Sequence, residues 1–215
     1  MPLDRMKLYE WTASPNSRRV RIYLAEKGLK IPTVPVNLDA KEQFSPEYTA
    51  INPRRVVPTL VLEDGTAIGE VLAIWRYLEE THPTPPLIGS TPKEKAVAIM
   101  WERRAEQEGF APVMDAMRNS TPGLRGRALT GAYNYEQIPE LARRSVRRVA
   151  DFYTDLDLRL KDDAFVAGDR FTIADITALV TVDFATRAIN QPIPSGHDNL
   201  TRWYDTVAAR PSAKA

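Results

Sequence analysis

Two short stretches carry residue types and spacings suited to gripping a small peptide: Asn52-Pro53-Arg54-Arg55-Val56-Val57-Pro58-Thr59-Leu60 and Glu70-Val71-Leu72-Ala73-Ile74. Pro58 has no backbone N–H, and it opens the apolar run Thr59-Leu60-Val61-Leu62, a place where a strand tolerates proline. A cis bond before Pro58 would turn the N–H and C=O of Val57 away from the sheet, free to pair with an extended ligand. Val71, Ile74, Trp75 and Leu78 recur at i, i+3, i+4 and i+7, so an amphipathic helix begins near Glu70 with unpaired N–H groups in its first turn. An acid beside such donors suits a zwitterionic amino-acid head, the side chain taking the ammonium and the helix start the carboxylate. A γ-glutamyl group has that form.

The elements that must position these residues are legible on either side. Residues 7–12 alternate as a strand. Ser14-Pro15 then opens a helix with apolar face Val20, Tyr23, Leu24 and a stop at Gly28, because Ser suits the N-cap, Pro the first turn and Gly a left-handed C-terminal residue. Residues 31–38 read as a second strand, 46–50 as a short helix, and Glu63-Asp64-Gly65-Thr66 as a hairpin turn leading to a return strand at Ala67-Ile68. Residues 81–92 carry four prolines, which cannot continue a helix and mark a boundary. Beyond it every periodic segment is helical, over 93–118, 135–160, 173–189 and 199–210. The expectation is therefore a domain over 1–81, a linker over 82–92 and an all-α domain over 93–215. Thr172 as N-cap, Asp175 three residues on, and Phe171 against Ile176 predict a capping box with a hydrophobic staple, which gives Asp175 a structural role.

Composition excludes several classes. Lys plus Arg number 29 against 28 Asp plus Glu, a net charge of +1 with no electrostatic case for nucleic acid or an anionic membrane. The absence of cysteine removes disulfides, thiolate metal sites and a cysteine nucleophile. With His82 and His197 alone and no G-x-S-x-G, histidine–metal and serine-hydrolase chemistry lack support, and no metal is expected. No apolar run is long enough to span a membrane, and the polar start lacks a secretion profile, so a cytoplasmic location is expected.

The order strand, helix, strand, helix, V-P-T-L, hairpin and E-x-x-A-I helix resembles the soluble glutathione transferases over nearly the whole chain. The resemblance implies an α/β N-terminal thioredoxin-like domain, built on a mixed four-stranded sheet with helices, plus an all-α C-terminal domain, commonly as a homodimer. Glutathione would be the co-substrate. It brings its own thiol, so the protein has only to stabilise the thiolate and bring an electrophile close. A thiol of pKa ~8.5 is ~3% ionised at pH 7; a shift of ~2 units makes it about three-quarters ionised and takes roughly 2.7 kcal/mol.

Ser14-Pro15-Asn16-Ser17-Arg18-Arg19-Val20-Arg21 resembles the S-x-x-S-x-R-V-R stretch of the zeta and theta-like classes, whose first serine donates to the sulfur. Ser14 is thus the expected thiolate stabiliser, with helix capping as its other reading and Asn16 as first rival, then Ser17 and Tyr9. The resemblance also carries over Val57 with Pro58 for the cysteinyl unit, and Glu70 for the γ-glutamyl ammonium. Two positions depart from the family pattern: Val71 stands where Ser or Thr is usual after the acid, and Val56 where Lys, Gln or Arg often meets the glycyl carboxylate. The Val71 N–H survives the substitution. Lys41, Gln43, Arg54 and Arg55 are the alternatives for the glycyl end, or else solvated loop groups.

The electrophile is expected between the domains, against Met100, Trp101, Arg104, Phe110 and Met114, residues whose helical spacing equally fits core packing. The loop over 119–127 is a candidate lid. The leading function is conjugation of the glutathione thiolate to small hydrophobic electrophiles. A glutathione-dependent isomerase or peroxidase is an alternative, weakened for the isomerase by the missing S-S-C signature; a non-catalytic binding protein of the same fold is another, motivated by Val56 and Val71.

Overall fold

The computed structural model describes residues 3–215. Two compact units form: one takes residues up to Pro85 together with Thr130–Ala132 and Lys214–Ala215, the other Pro86–Leu129 and Tyr133–Ala213.

In the first unit β1 (Lys7–Glu10), β2 (Thr33–Pro35), β3 (Thr59–Val61) and β4 (Ala67–Ile68) make a mixed sheet in the order β2-β1-β3-β4. β1 runs parallel to β2, with Leu8 opposite Thr33, and antiparallel to β3, with Leu8 opposite Leu60; β3 and β4 are antiparallel. The first two strands are shorter than the alternation over 7–12 and 31–38 predicts. Trp11 leaves the ladder to meet the first helix instead, its N–H donating to Ser17 Oγ at 3.3 Å. The Asp-Gly turn closes as expected, with Leu62 N–H to the Thr66 carbonyl at 2.9 Å. α1 (Pro15–Lys27) ends on Gly28 at φ 64°, and α2 spans Pro46–Ile51.

α1 and α3 (Val71–Thr81) bury Val20, Ile22, Tyr23, Ile74, Trp75 and Leu78 completely, with Leu8 and Leu60 of the sheet. Tyr23 stacks on Trp75 at 5.7 Å, and its hydroxyl donates to Glu79 at 2.5 Å. Burial, then Glu79, pushes the Tyr23 phenol far above its ordinary pKa. Lys27 completes this buried cluster: its ammonium sits 2.6 Å from Glu79 and donates to the carbonyls of His82 and Pro85 at 2.8 and 2.7 Å. All its polar atoms are thus partnered, as a buried ion pair requires.

The second unit is helical throughout: α4 (Pro92–Arg104), a π-helical segment Ala105–Phe110, α5 (Ala111–Ser120), α6 (Pro139–Arg159), α7 (Ile173–Ile189) and α8 (Asp198–Ala208). The single helix predicted over 93–118 is therefore interrupted. A β-carbon on Gly109 would come within 2.7 Å of the Phe152 ring, so glycine is what lets α6 approach there, and Arg148 of α6 donates to the Gln107 carbonyl at 2.8 Å within the widened turn. α6 begins at Pro139 rather than at 135, because Tyr135 pairs with Arg127 and Ile138 N–H donates to Asn119 Oδ1 at 2.9 Å.

The loop before α6 is tied down. Arg118 donates to the carbonyls of Arg127 and Leu129, and Gln137 to those of Arg118 and Thr121. Asn119 and Ser120, read as part of a lid, belong to α5. The Thr172–Asp175 capping box is present, and the fully buried Asp175 carboxylate accepts from Val166 N–H, Trp203 Nε1, Thr172 N–H and the Thr172 hydroxyl. Burial pushes its pKa up to about 6 against the opposing pull of those donors. Among the described residues no helix is long and apolar enough to cross a membrane.

Candidate active site

The Val57–Pro58 peptide is cis, and neither the N–H nor the C=O of Val57 bonds to any described residue. The Val57 side chain is anchored: it lies in an apolar cluster with Val36 and Tyr48, against which Tyr9, Trp11 and Leu38 pack. An anchored side chain beside free main-chain groups makes a preformed pairing edge.

What holds this edge is a polar cluster under the loop. Tyr48 Oη donates to the Val56 carbonyl at 2.5 Å, and Asn52 Nδ2 to the same carbonyl at 3.0 Å and to Thr59 Oγ1 at 2.8 Å. Thr59 is fully buried and Asn52 nearly so. Burial raises the Tyr48 phenol, which is therefore a neutral donor at physiological pH. Sequence reasoning gave these residues no role, although Asn-Pro is a turn signal with an Asn able to bond the N–H two residues on. It does so here, to Arg54 N–H at 3.0 Å.

Glu70 occupies the N-cap of α3 with extended backbone and no capping bond from its side chain, so the N–H groups of Val71, Leu72 and Ala73 have no partner among the described residues. The Glu70 carboxylate is 74% exposed, 3.9 Å from Arg54. A pair that open to water holds neither partner tightly, which leaves the carboxylate available to an incoming ammonium. Val71 is buried.

Ser14 caps α1. Its Oγ accepts from Ser17 N–H at 3.3 Å, and its N–H donates to the Trp11 carbonyl at 2.9 Å. The hydroxyl hydrogen is not consumed by this, since capping uses a lone pair. Asn16 Oδ1 accepts from Arg19 at 3.1 Å, leaving its amide hydrogens unpartnered among the described residues. Ser14 and Asn16 bond within the start of α1, not to the Val57 or Glu70 segments; Trp11 connects the two regions, bonded to Ser17 and packed in the Val57 cluster. Of the glycyl-end candidates, Arg55 lies 5.6 Å over the Phe44 ring with φ 57°, Lys41 is exposed with φ 61°, and the Oε1 of Gln43 is buried without a partner among the described residues.

In the helical unit two guanidinium groups, those of Arg104 and Arg159, each lie 4.8 Å from the centroid of the Trp101 ring. Phe110 is buried against Phe184 at 5.8 Å, and Met114 is half-buried on α5. No cluster of three or more potential metal ligands occurs among the described residues.

Known proteins share this architecture in both units. The model of the glutathione S-transferase N-terminal domain matches residues 8–86, and that of the C-terminal domain residues 113–211. The chain belongs to the glutathione S-transferase family. It is 36% identical over 213 residues to Glutathione S-transferase 2 of Saccharomyces cerevisiae, spanning 98% of this chain and 89% of that protein. The crystal structure of Gtt2 from Saccharomyces cerevisiae matches with a TM-score of 0.87 and 37% identity, over 97% of this chain and 98% of that one. Maleylacetoacetate isomerase of Rattus norvegicus is 46% identical over 102 residues, 46% of this chain and 47% of that protein. As a glutathione S-transferase, the chain carries both domains of the family, and the Val57 edge and the start of α3 both lie within the N-terminal one.

Proposed function

We propose that this transferase binds glutathione with its cysteinyl main chain on Val57, its γ-glutamyl ammonium on Glu70 and its γ-glutamyl carboxylate on the free N–H groups of Val71 to Ala73. The thiolate then attacks small hydrophobic electrophiles. The observation that carries the reading is the unpaired Val57 main chain, held over an apolar cluster, in a chain of this family. Ser14 is the thiolate stabiliser in this scheme, supported by a hydroxyl hydrogen that its capping bond leaves free; Asn16 is its rival. Gln43 and Arg55, with Lys41 and Arg54, take the glycyl carboxylate. Trp101, Arg104 and Met114 offer the electrophile apolar and cationic surface, backed by Phe110. The protein works as a cytoplasmic homodimer, to be checked by sedimentation and fractionation.

Calorimetry with glutathione and turnover of a chlorodinitrobenzene-type electrophile test the proposal together. Heat of binding with turnover supports it; binding without turnover favours a binding protein, and the absence of both overturns the reading. The half-chain likeness to maleylacetoacetate isomerase favours one second reading, a glutathione-dependent cis–trans isomerase. Glutathione-dependent loss of a maleyl substrate's ultraviolet absorbance, exceeding conjugation, would select it.

A further inference from the structure

Asn52 bonds to the loop on both sides of the pairing edge. Its Nδ2 donates to the Val56 carbonyl at 3.0 Å and to Thr59 Oγ1 at 2.8 Å, so it spans Val57 and Pro58 from both sides. Its Oδ1 accepts from Arg54 N–H at 3.0 Å, and its carbonyl accepts from Arg55 N–H at 2.9 Å. The latter bond closes the turn in which Arg55 takes φ 57°, a conformation a non-glycine residue keeps only when its surroundings impose it. The same amide reaches the other end of the site: a β-carbon on Gly69 would lie 3.3 Å from Asn52 Nδ2, so the backbone just before Glu70 rests against it.

We propose that Asn52 is a positioning residue for glutathione, fixing the Val57 edge and the approach to Glu70 in one register through its side-chain amide. The inference rests on the glutathione reading above. Asn52 itself does not meet the ligand: it is 6% exposed and its hydrogen-bonding atoms are taken. Its contribution is that the two halves of the site are already at the tripeptide's spacing before it arrives, so binding does not have to order them.

Asn52→Asp tests this with a near-isosteric change. The aspartate still accepts from Arg54 N–H, but when ionised it sets a carboxylate against the Val56 carbonyl, and when protonated its O–H donates there as the amide did. The probe is S-methylglutathione, which has no thiol to titrate, measured by calorimetry against the unchanged protein at each pH. Burial and the facing Val56 carbonyl both push the variant's carboxyl above its ordinary pKa. At about pH 8 the variant should therefore bind about tenfold more weakly, as expected for the lost bond to that carbonyl, and the ratio should fall toward one as the pH is lowered through about 5.5 toward about 4.5. A generally loosened fold would not regain affinity on acidification. Tyr48→Phe removes a second donor to the Val56 carbonyl, leaving only the 3.4 Å bond from the Thr59 hydroxyl beside Asn52, and should weaken binding about threefold, which keeps the test open if Asn52→Asp does not fold. Absence of binding by the unchanged protein overturns the glutathione reading and this inference with it. Binding by the unchanged protein with equal affinity in the folded variants, or a deficit in Asn52→Asp that does not shrink on acidification, overturns the inference alone.

Discussion

Ser14→Ala removes an oxygen that accepts from Ser17 N–H at 3.3 Å and whose own hydrogen has no partner among the described residues. The two functions have separable magnitudes. Loss of the cap, whose bond is long, should cost about 0.5–1 kcal/mol of stability, the low end for a capping residue. Loss of a hydroxyl donor to an anionic sulfur should cost about 1.5–3 kcal/mol, which raises the bound thiol's pKa by about 1–2 units and lowers turnover at neutral pH by about ten- to a hundredfold. Glutathione affinity at pH 7 should fall only about three- to fourfold, the part of the lost donor felt by a partly ionised thiol, because the proposed Val57 and Glu70 contacts remain. The decisive assay is the ultraviolet absorbance of the bound thiolate as a function of pH, beside kcat/KM over the same range: both midpoints should move up together. Unfolding in urea reads the capping loss independently. A variant less stable by the expected amount but with an unmoved thiolate midpoint would refute the donor role, leaving Ser14 a cap and making Asn16→Ala the next variant.

The parts of this protein visible in the sequence are those written in local chemistry. Ser14-Pro15 places a hydroxyl cap before a first-turn proline and starts a helix as expected; Ser45-Pro46 and Thr91-Pro92 carry the same signal, the second masked in the sequence by the place of Pro92 among the boundary prolines. Thr172 and Asp175 specify a capping box through four consecutive residues, and Asp64-Gly65 a turn through two. Where tertiary packing decides, the pattern alone misleads. Nothing local in Ala105–Phe110 announces a π-helical turn; it follows from how close Phe152 comes to Gly109 and from Arg148 reaching the Gln107 carbonyl. Periodicity over 135–160 ignores the bond from Ile138 N–H to Asn119, nineteen residues away. The candidate site divides in the same way. Val57, Pro58 and Glu70 stand out through proline chemistry and helix-start spacing, whereas Asn52, Tyr48 and Thr59 matter only because the fold brings a helix end under the loop that follows it.

Glu70→Gln keeps the shape of the α3 start and removes the charge that would meet an ammonium; glutathione KM should rise about tenfold while stability stays unchanged, since the Arg54 pair is exposed, and an unaltered KM would show that the carboxylate only serves the helix end. Val71→Thr restores a hydroxyl at the first helical position and should tighten glutathione binding about three- to tenfold by calorimetry; unchanged or weaker binding would mean that this buried side chain faces the core. The third test concerns Asp175, whose carboxylate four donors hold in a fully buried site. Asp175→Asn turns an amide N–H₂ toward one of those donors and should cost about 2–3 kcal/mol at pH 7. The pH dependence adds a sign. The folded pKa, about 6, lies above the ordinary carboxylate value, so the folded protein holds the proton more tightly than the unfolded chain does. Stability from this group is therefore fully present below about pH 4 and lost as the pH rises through about 6. Asparagine does not titrate, so the stability advantage of the unchanged protein over Asp175→Asn, read from urea unfolding, should grow by about 2–3 kcal/mol between pH 7 and pH 4. A constant difference across that range would mean that the four donors offset burial in full and leave the carboxylate at its ordinary pKa.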